Sequence, residues 1–261
     1  MALDEVLTFS CARGEGALVL RLYTWDRPTV SVGYAQVLDR EVDLEACRRL
    51  GFAVVRRPTG GRAVLHQHEL TYAVAFPKGL LGPGGVQDDY RRISRGLVLG
   101  LRRLGVAASL SRGSVARGPA SGVCFLGTSR FEVTVAGRKL VGSAQRRFRD
   151  AVLQHGSLLL DLDRAAWEAA LPALRHPAAK DWTSRLTTLT SLLGVRPSLP
   201  PVEEALWEGF AEALGQPLAE AHPSRAEAKA AAALGSGRYG HPDWTPGQRR
   251  AARRLDTPQR V

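Results

Sequence analysis

Apolar and polar residues alternate along this chain at two spacings, and the switches between them mark out the elements. In residues 1–11, Leu3, Val6 and Leu7 fall on one side of a predicted helix. Residues 18–23 and 29–34 read as strands. Between them the turn at 25–28 contains Pro28, which pushes Arg27 out of the helical region. Asp43 is placed to N-cap a helix whose Leu44, Cys47 and Leu50 would share a buried face, with Gly51 as its stop. Residues 52–55 and 70–76 read as strands entering and leaving a glycine-rich stretch, and 77–86 as a loop. A helix over 88–104 is predicted from Ile93, Leu97 and Leu101, with Gly105 ending it. Residues 111–122, rich in Gly, Ser, Ala, Arg and Pro, are expected to be mobile. Strands follow at 131–135, 139–145 and 151–160, the first two joined by a turn at Gly137-Arg138. Helices are predicted at 164–174, 182–193, 201–214 and 224–233. The basic tail with Arg249, Arg250, Arg253 and Arg254 is expected to fray. No internal repeat is seen. Strands and helices mix without steady alternation, so the predicted class is α+β.

The stretch 55–76 carries the densest chemical signal. Arg56 and Arg57 precede Pro58, Thr59, Gly60, Gly61 and Arg62, and His66 leads into an alternating apolar strand. Adjacent glycines allow close approach of backbone to a ligand, and the arginines are expected to supply fixed positive charge. The pattern reads as a binding loop joined to a buried strand.

Size and composition narrow the classes. With 261 residues, 44% hydrophobic and 23% charged, the chain is long enough for one large core, or one domain with a small appendage. No apolar run approaches the roughly 18 residues of a membrane span. The acidic start, without a basic n-region, gives no secretory signal, so a cytoplasmic location is expected. The net charge is +11 and the pI near 10.4. Because the basic residues are dispersed until the C-terminus, the charge reads as ordinary arginine-rich surface rather than as a nucleic-acid footprint. An acidic protein partner steered in by complementary charge is the third option.

Cys11, Cys47 and Cys124 show no CxxC pair, zinc pattern or disulfide framework. Cys11 and Cys47 read as packing residues. Taken singly, Cys124 reads as a buried structural cysteine and Lys139, 15 residues on, as a solvated turn lysine. Beside the glycine loop they read differently. A nearby ammonium lowers a thiol's pKa and would stabilise the oxyanion formed when a thiolate attacks a thioester. His66 and His68, two apart, are expected on one face of a strand, but no third metal ligand stands out. His155 reads as a pocket wall, a proton carrier or a satisfied structural histidine. The scattered tryptophans give little support to a base-stacking platform.

Together these segments resemble the lipoate–protein ligase and octanoyltransferase family. The likeness runs through Met1-Ala-Leu-Asp-Glu5, Ser31-Val-Gly-Tyr34, Arg56 to Arg62, His66, Gly137-Arg-Lys139, Gly142-Ser-Ala-Gln145 and Leu153-Gln-His-Gly-Ser157. It continues in Thr183-Ser-Arg-Leu-Thr187 and Arg238-Tyr-Gly240 with Trp244. The resemblance implies an α+β domain with a mixed β-sheet flanked by helices, the cofactor-transferase fold of biotin ligases and class II aminoacyl-tRNA synthetases. That domain would cover 1–245, with a basic tail at 246–261. Cys124 and Lys139 would be catalytic. The acyl group would be bound by Arg57, Gly60, Gly61, Arg62, His66, Gly142, Ser143, Ala144, Gln145, His155 and Gly156.

Within this family the cysteine-dependent octanoyltransferases are the nearest likeness. Cys124 stands where they carry the nucleophile. Phe131-Glu132 replaces the Asn-Asp pair with which ligases help hold the adenylate and its metal. The chain also stops soon after Trp244, leaving no room for the ligases' accessory domain. In one respect the chain departs from the family, whose members usually have a strand before the first helix. Either the start is truncated or the sheet lacks an edge strand. The donor implied is octanoyl acyl carrier protein. The acceptors implied are lipoyl domains of 2-oxoacid dehydrogenases or the glycine-cleavage H protein. No membrane or nucleic-acid partner and no metal or cofactor is expected. ATP and magnesium enter only if the chain is an ATP-dependent lipoate–protein ligase. An octanoyl amidotransferase is the other alternative, and a basic nucleic-acid-binding protein the remote one.

Overall fold

The computed structural model describes residues 1–15, 18–113 and 130–246. Elements follow in the order α1 (Ala2–Ala12), β1 (Val19–Tyr23), β2 (Thr29–Val32), α2 (Leu38–Glu41), α3 (Leu44–Arg49), β3 (Ala53–Arg56), β4 (Val64–His66), β5 (Glu69–Pro77) and α4 (Val86–Arg103). Then come β6 (Ser109–Leu110), β7 (Val133–Val135), β8 (Arg138–Lys139), β9 (Val141–Arg147), β10 (Ala151–Leu159), α5 (Arg164–Ala170), α6 (Leu189–Leu193), α7 (Leu199–Leu214) and α8 (Arg225–Leu234). The α+β expectation holds. The described strands form an antiparallel sheet β1-β5-β10-β9, a mixed sheet β3-β2-β4, and a small antiparallel sheet β6-β7-β8.

The central strands β5 and β10 are buried on both faces. On one face Leu70, Tyr72, Val74, Phe76, Val152 and Leu158 build the main core with Ile93, Leu97 and Leu101 of α4 and Leu206 and Phe210 of α7. On the other face the residues are small: Ala73 and Ala75 pack with Leu153 and with Cys11 of α1. Small side chains here let α1 lie close, and they leave room further along the strands for the space between the first two sheets.

Several boundaries move for identifiable reasons. Asp43 does cap α3, accepting from Ala46 N at 2.9 Å. However, the six-residue helix buries Ala46 and Cys47, while Leu44 and Leu50 stay exposed. The hairpin turn is Ala136-Gly137 rather than Gly137-Arg138, because Val135 pairs with Arg138. Both turn residues have positive φ, 48° and 76°, as a type I′ turn requires. The helix expected at 164–174 stops at Ala170, and Pro172 opens a separate short turn. The one expected at 182–193 divides at Leu186 and Thr187, which leave helical geometry to pair with Lys139. His68 lies beyond the end of β4, so it does not share a strand face with His66.

Candidate active site

The glycine loop is built around buried arginines. Arg57 Nη1 donates to Ser31 O (3.1 Å) and Ser31 Oγ (3.0 Å). Its other nitrogens donate to Gly60 O and Arg62 O. Arg56 Nη1 donates to the carbonyls of Gly33, Tyr34 and Gln36, and its remaining nitrogens to Thr245 O and Pro246 O. These guanidiniums were expected as fixed charge for a ligand. They serve first as clamps that satisfy backbone carbonyls a loop would otherwise bury unpaired. Arg62 contributes its carbonyl to the clamp, and its half-exposed residue is not among those lining the cavities described below.

Gly61 sits at φ 84°, and a Cβ on Gly33 would lie 2.0 Å from Gly61 O. Backbone must therefore touch backbone where β2 ends and the loop returns. Gly33→Ala is expected to displace the loop and weaken ligand binding between the sheets while leaving the fold intact, measurable as a lower affinity with an unchanged circular-dichroism spectrum.

Between the first sheet and the mixed sheet lies a cavity of about 370 Å³, counting its opening. Ser31, Arg57, Val64 and His66 line one side, and Gly142, Ser143, Ala144, His155 and Gly156 line the other. The binding residues proposed from Gly142 to Ala144, with Arg57, His66, His155 and Gly156, are thus brought together. The register explains how: His155 lies opposite Ala144 and Ala73, and Gly156 opposite Ser143 and Tyr72. Gly60, Gly61 and Gln145 line a neighbouring, wider cavity of about 770 Å³ that shares Ser143 and Ala144 with the first. Tyr23, Trp25 and Thr71 also line the first cavity and were not singled out from the sequence. Only the pairing of Tyr23 with Thr71 across β1 and β5 places them there.

His66 is held on every side. Its Nε2 meets Ser31 Oγ at 2.8 Å, its Nδ1 meets Glu69 Oε1 at 3.3 Å, and its ring stacks on Trp25 with centroids 4.3 Å apart. Arg57 can only donate to Ser31 Oγ, so the serine links the glycine-loop clamp to the histidine ring. Among the described residues no cluster of His, Cys, Asp or Glu is arranged to hold a metal ion.

His155 Nε2 shares a 2.6 Å hydrogen bond with Thr59 Oγ1, tying β10 to the glycine loop. Burial pushes its pKa down to about 3, with the Asp4 carboxylate opposing and the Arg57 guanidinium adding to the shift. A ring so weakly basic is a pocket wall and not a proton carrier near neutral pH. The unfolded chain binds this proton at about pH 6.5, so between the two values it holds more protons than the folded one. Stability is then lost as pH falls from about 6.5 toward 3. Urea unfolding should show the parent losing about 2 kcal/mol between pH 7 and pH 5 from this group, a loss that His155→Gln removes.

Lys139 is completely buried, where a solvated turn lysine was the reading of the residue alone. Its Nζ lies 2.7 Å from Glu132 Oε1, itself buried. Thr187 N donates to Lys139 O at 3.0 Å, so the segment after Trp182 closes over the lysine. Cys124 lies among residues 114–129, as does most of the segment expected to be mobile, outside the described residues. Cys11 and Cys47 are buried, and burial raises both thiol pKa values, that of Cys47 to about 11. Both are packing residues, as expected. The C-terminal segment returns to the site: Trp244 Nε1 donates to Arg56 O, and Arg238 and Tyr239 both bind the Glu5 carboxylate. Among the described residues no helix is long and apolar enough to cross a membrane.

Comparison with known proteins places this geometry. Residues 1–211 match the family described as lipoyl protein ligase A/B catalytic domain. The chain is 48% identical over 231 residues to octanoyltransferase LipM of Kyrpidia tusciae, covering 84% of this chain and 83% of that one. It is 42% identical over 255 residues to octanoyltransferase LipM of Symbiobacterium thermophilum, covering 94% and 92%. Among solved structures it is similar to a putative lipoate protein ligase from T. acidophilum with bound lipoic acid. The TM-score is 0.79 at 27% identity, covering 95% of this chain and 92% of that one. It is also similar to a lipoate-protein ligase A bound with ATP (TM-score 0.78, 26% identity, 94% and 92% covered).

Proposed function

This chain belongs to the lipoyl protein ligase A/B catalytic domain family, and from that premise we propose that it is an octanoyltransferase of protein lipoylation, working through a cysteine thioester. The observation that carries the reading is its 48% and 42% identity to octanoyltransferases over more than four-fifths of each chain. The cavity between the sheets supports it, because the surface it offers an acyl chain is mainly apolar. Each methylene buried there contributes about 0.8 kcal/mol.

In the proposed cycle the Cys124 thiolate attacks the carbonyl carbon of octanoyl acyl carrier protein. The tetrahedral intermediate collapses with loss of the carrier's thiolate, which takes up a proton, and octanoyl stays on Cys124. The amine of a lysine on a lipoyl domain or the glycine-cleavage H protein then attacks that thioester, gives up a proton and displaces the cysteine thiolate. Exchange between thioesters is nearly balanced, and amide formation drives the second half. Lys139 stabilises the negative oxygen in both halves.

Neither ATP nor a metal enters this cycle. Glu132 supports that part of the reading: the carboxylate standing where ligases hold the adenylate and its metal is turned onto Lys139 instead. Incubation with octanoyl acyl carrier protein and an apo lipoyl domain should give acceptor heavier by one octanoyl group, equally with and without ATP. Transfer that requires ATP and proceeds through an acyl-adenylate would establish a ligase. Transfer only from an octanoylated H protein would establish an amidotransferase.

A further inference from the structure

The buried carboxylate beside Lys139 has no step of its own in the proposed cycle. Glu132 and Lys139 lie on the same face of the β7–β8 hairpin, since Thr134 pairs with Lys139 and Leu140 N donates to Val133 O. Both backbones are pinned. Ser111 N donates to Glu132 O at 2.8 Å, and Thr187 N donates to Lys139 O. The side chains then meet at 2.7 Å.

We propose that Glu132 is a positioning residue for octanoyl transfer, whose carboxylate holds the Lys139 ammonium in place and orients it. The proposal rests on the octanoyltransferase reading for its catalytic consequence, but the pair itself stands on geometry alone. A lysine with no exposed surface has lost its hydration, and desolvation favours the uncharged amine. A carboxylate in contact reverses that preference. Packing alone does not account for the arrangement, because apolar residues of similar size serve a core as well as a buried ion pair does. Burial, with a further contribution from the Glu132 charge against two opposing hydrogen bonds, pushes Tyr72 up to about 12. Its hydroxyl therefore stays protonated and donates to Ser143 Oγ at 2.6 Å, on the surface shared by both cavities.

The chain has four lysines, Lys78, Lys139, Lys180 and Lys229, and only Lys139 is buried. Full-length protein labelled with 13C-lysine should thus give four Cε signals, with that of Lys139 identified by its loss in Lys139→Arg. In Glu132→Gln, which keeps an oxygen acceptor and removes the charge, the Lys139 signal should move away from its position in the parent as the ammonium loses the contact that holds it. The kcat for octanoyl transfer should fall by about a hundredfold with KM for the donor nearly unchanged. Glu132→Asp keeps the charge and should recover part of the rate; it also stands in if Glu132→Gln does not fold. An unmoved Lys139 signal, or a moved one with undiminished kcat, overturns the proposal. If the parent transfers octanoyl from no donor, the transferase reading fails, while the Lys139 signal still decides whether Glu132 holds the ammonium in place.

Discussion

Cys124→Ala is expected to reduce octanoyl transfer by at least about a thousandfold, the scale on which an enzyme loses rate when its nucleophile is removed. The octanoyl adduct seen by intact-protein mass spectrometry after mixing with octanoyl acyl carrier protein should vanish with it. The other two cysteines make the experiment clean. Cys11 is packed under β5, its thiol directed at Ala75 O, and Cys47 is buried against the mixed sheet. Burial disfavours the thiolate in both, and the thiolate is the form that attacks. The adduct should therefore map to Cys124 alone, and Cys11→Ala and Cys47→Ala should retain it. Cys124→Ser should also be inactive, since a hydroxyl lacks the acidity that makes a thiol reactive near neutral pH. Full transfer by Cys124→Ala would reject the covalent cycle.

Lys139→Met is expected both to inactivate the enzyme and to destabilise it by about 3–5 kcal/mol, because it strands a buried carboxylate. The two effects separate in a double variant. Glu132→Leu/Lys139→Met removes both charges, and urea unfolding should show most of the lost stability restored. Octanoyl transfer should remain absent. An unchanged unfolding midpoint in Lys139→Met would mean that Glu132 is not stranded by the loss of its partner. Activity in the double variant would mean that the ammonium does not serve the reaction.

Much of the site is visible in one dimension because its parts are short local motifs. The Arg57–Gly61 stretch announces a loop that approaches something closely, and Gly142–Ala144 and His155–Gly156 lie on adjacent strands whose alternation is plain. What stayed hidden was the use of the charges. Arg56 and Arg57 read as ligand-binding cations, yet their partners are carbonyls of Gly33, Tyr34 and Gln36, and of Ser31, Gly60 and Arg62, several of them far away in sequence. Trp25 and Thr71 escaped notice for a similar reason. Their 2.9 Å hydrogen bond joins residues 46 apart, and no spacing signals it.

The residues alone determined the α+β class, the strands around the glycine loop, the cap at Asp43 and the family, since each depends on side chains within a few positions of one another or on motifs in order. Tertiary structure decided which charges are spent on satisfying the backbone and which are buried in pairs. Lys139 follows a turn and looks solvated, but the chain from Trp182 to Thr187 folds over it and leaves Glu132 beside it. Burial is a property of everything that packs around an atom. The fate of a lysine charge, and the near-neutral silence of His155, could be settled only once distant segments had met.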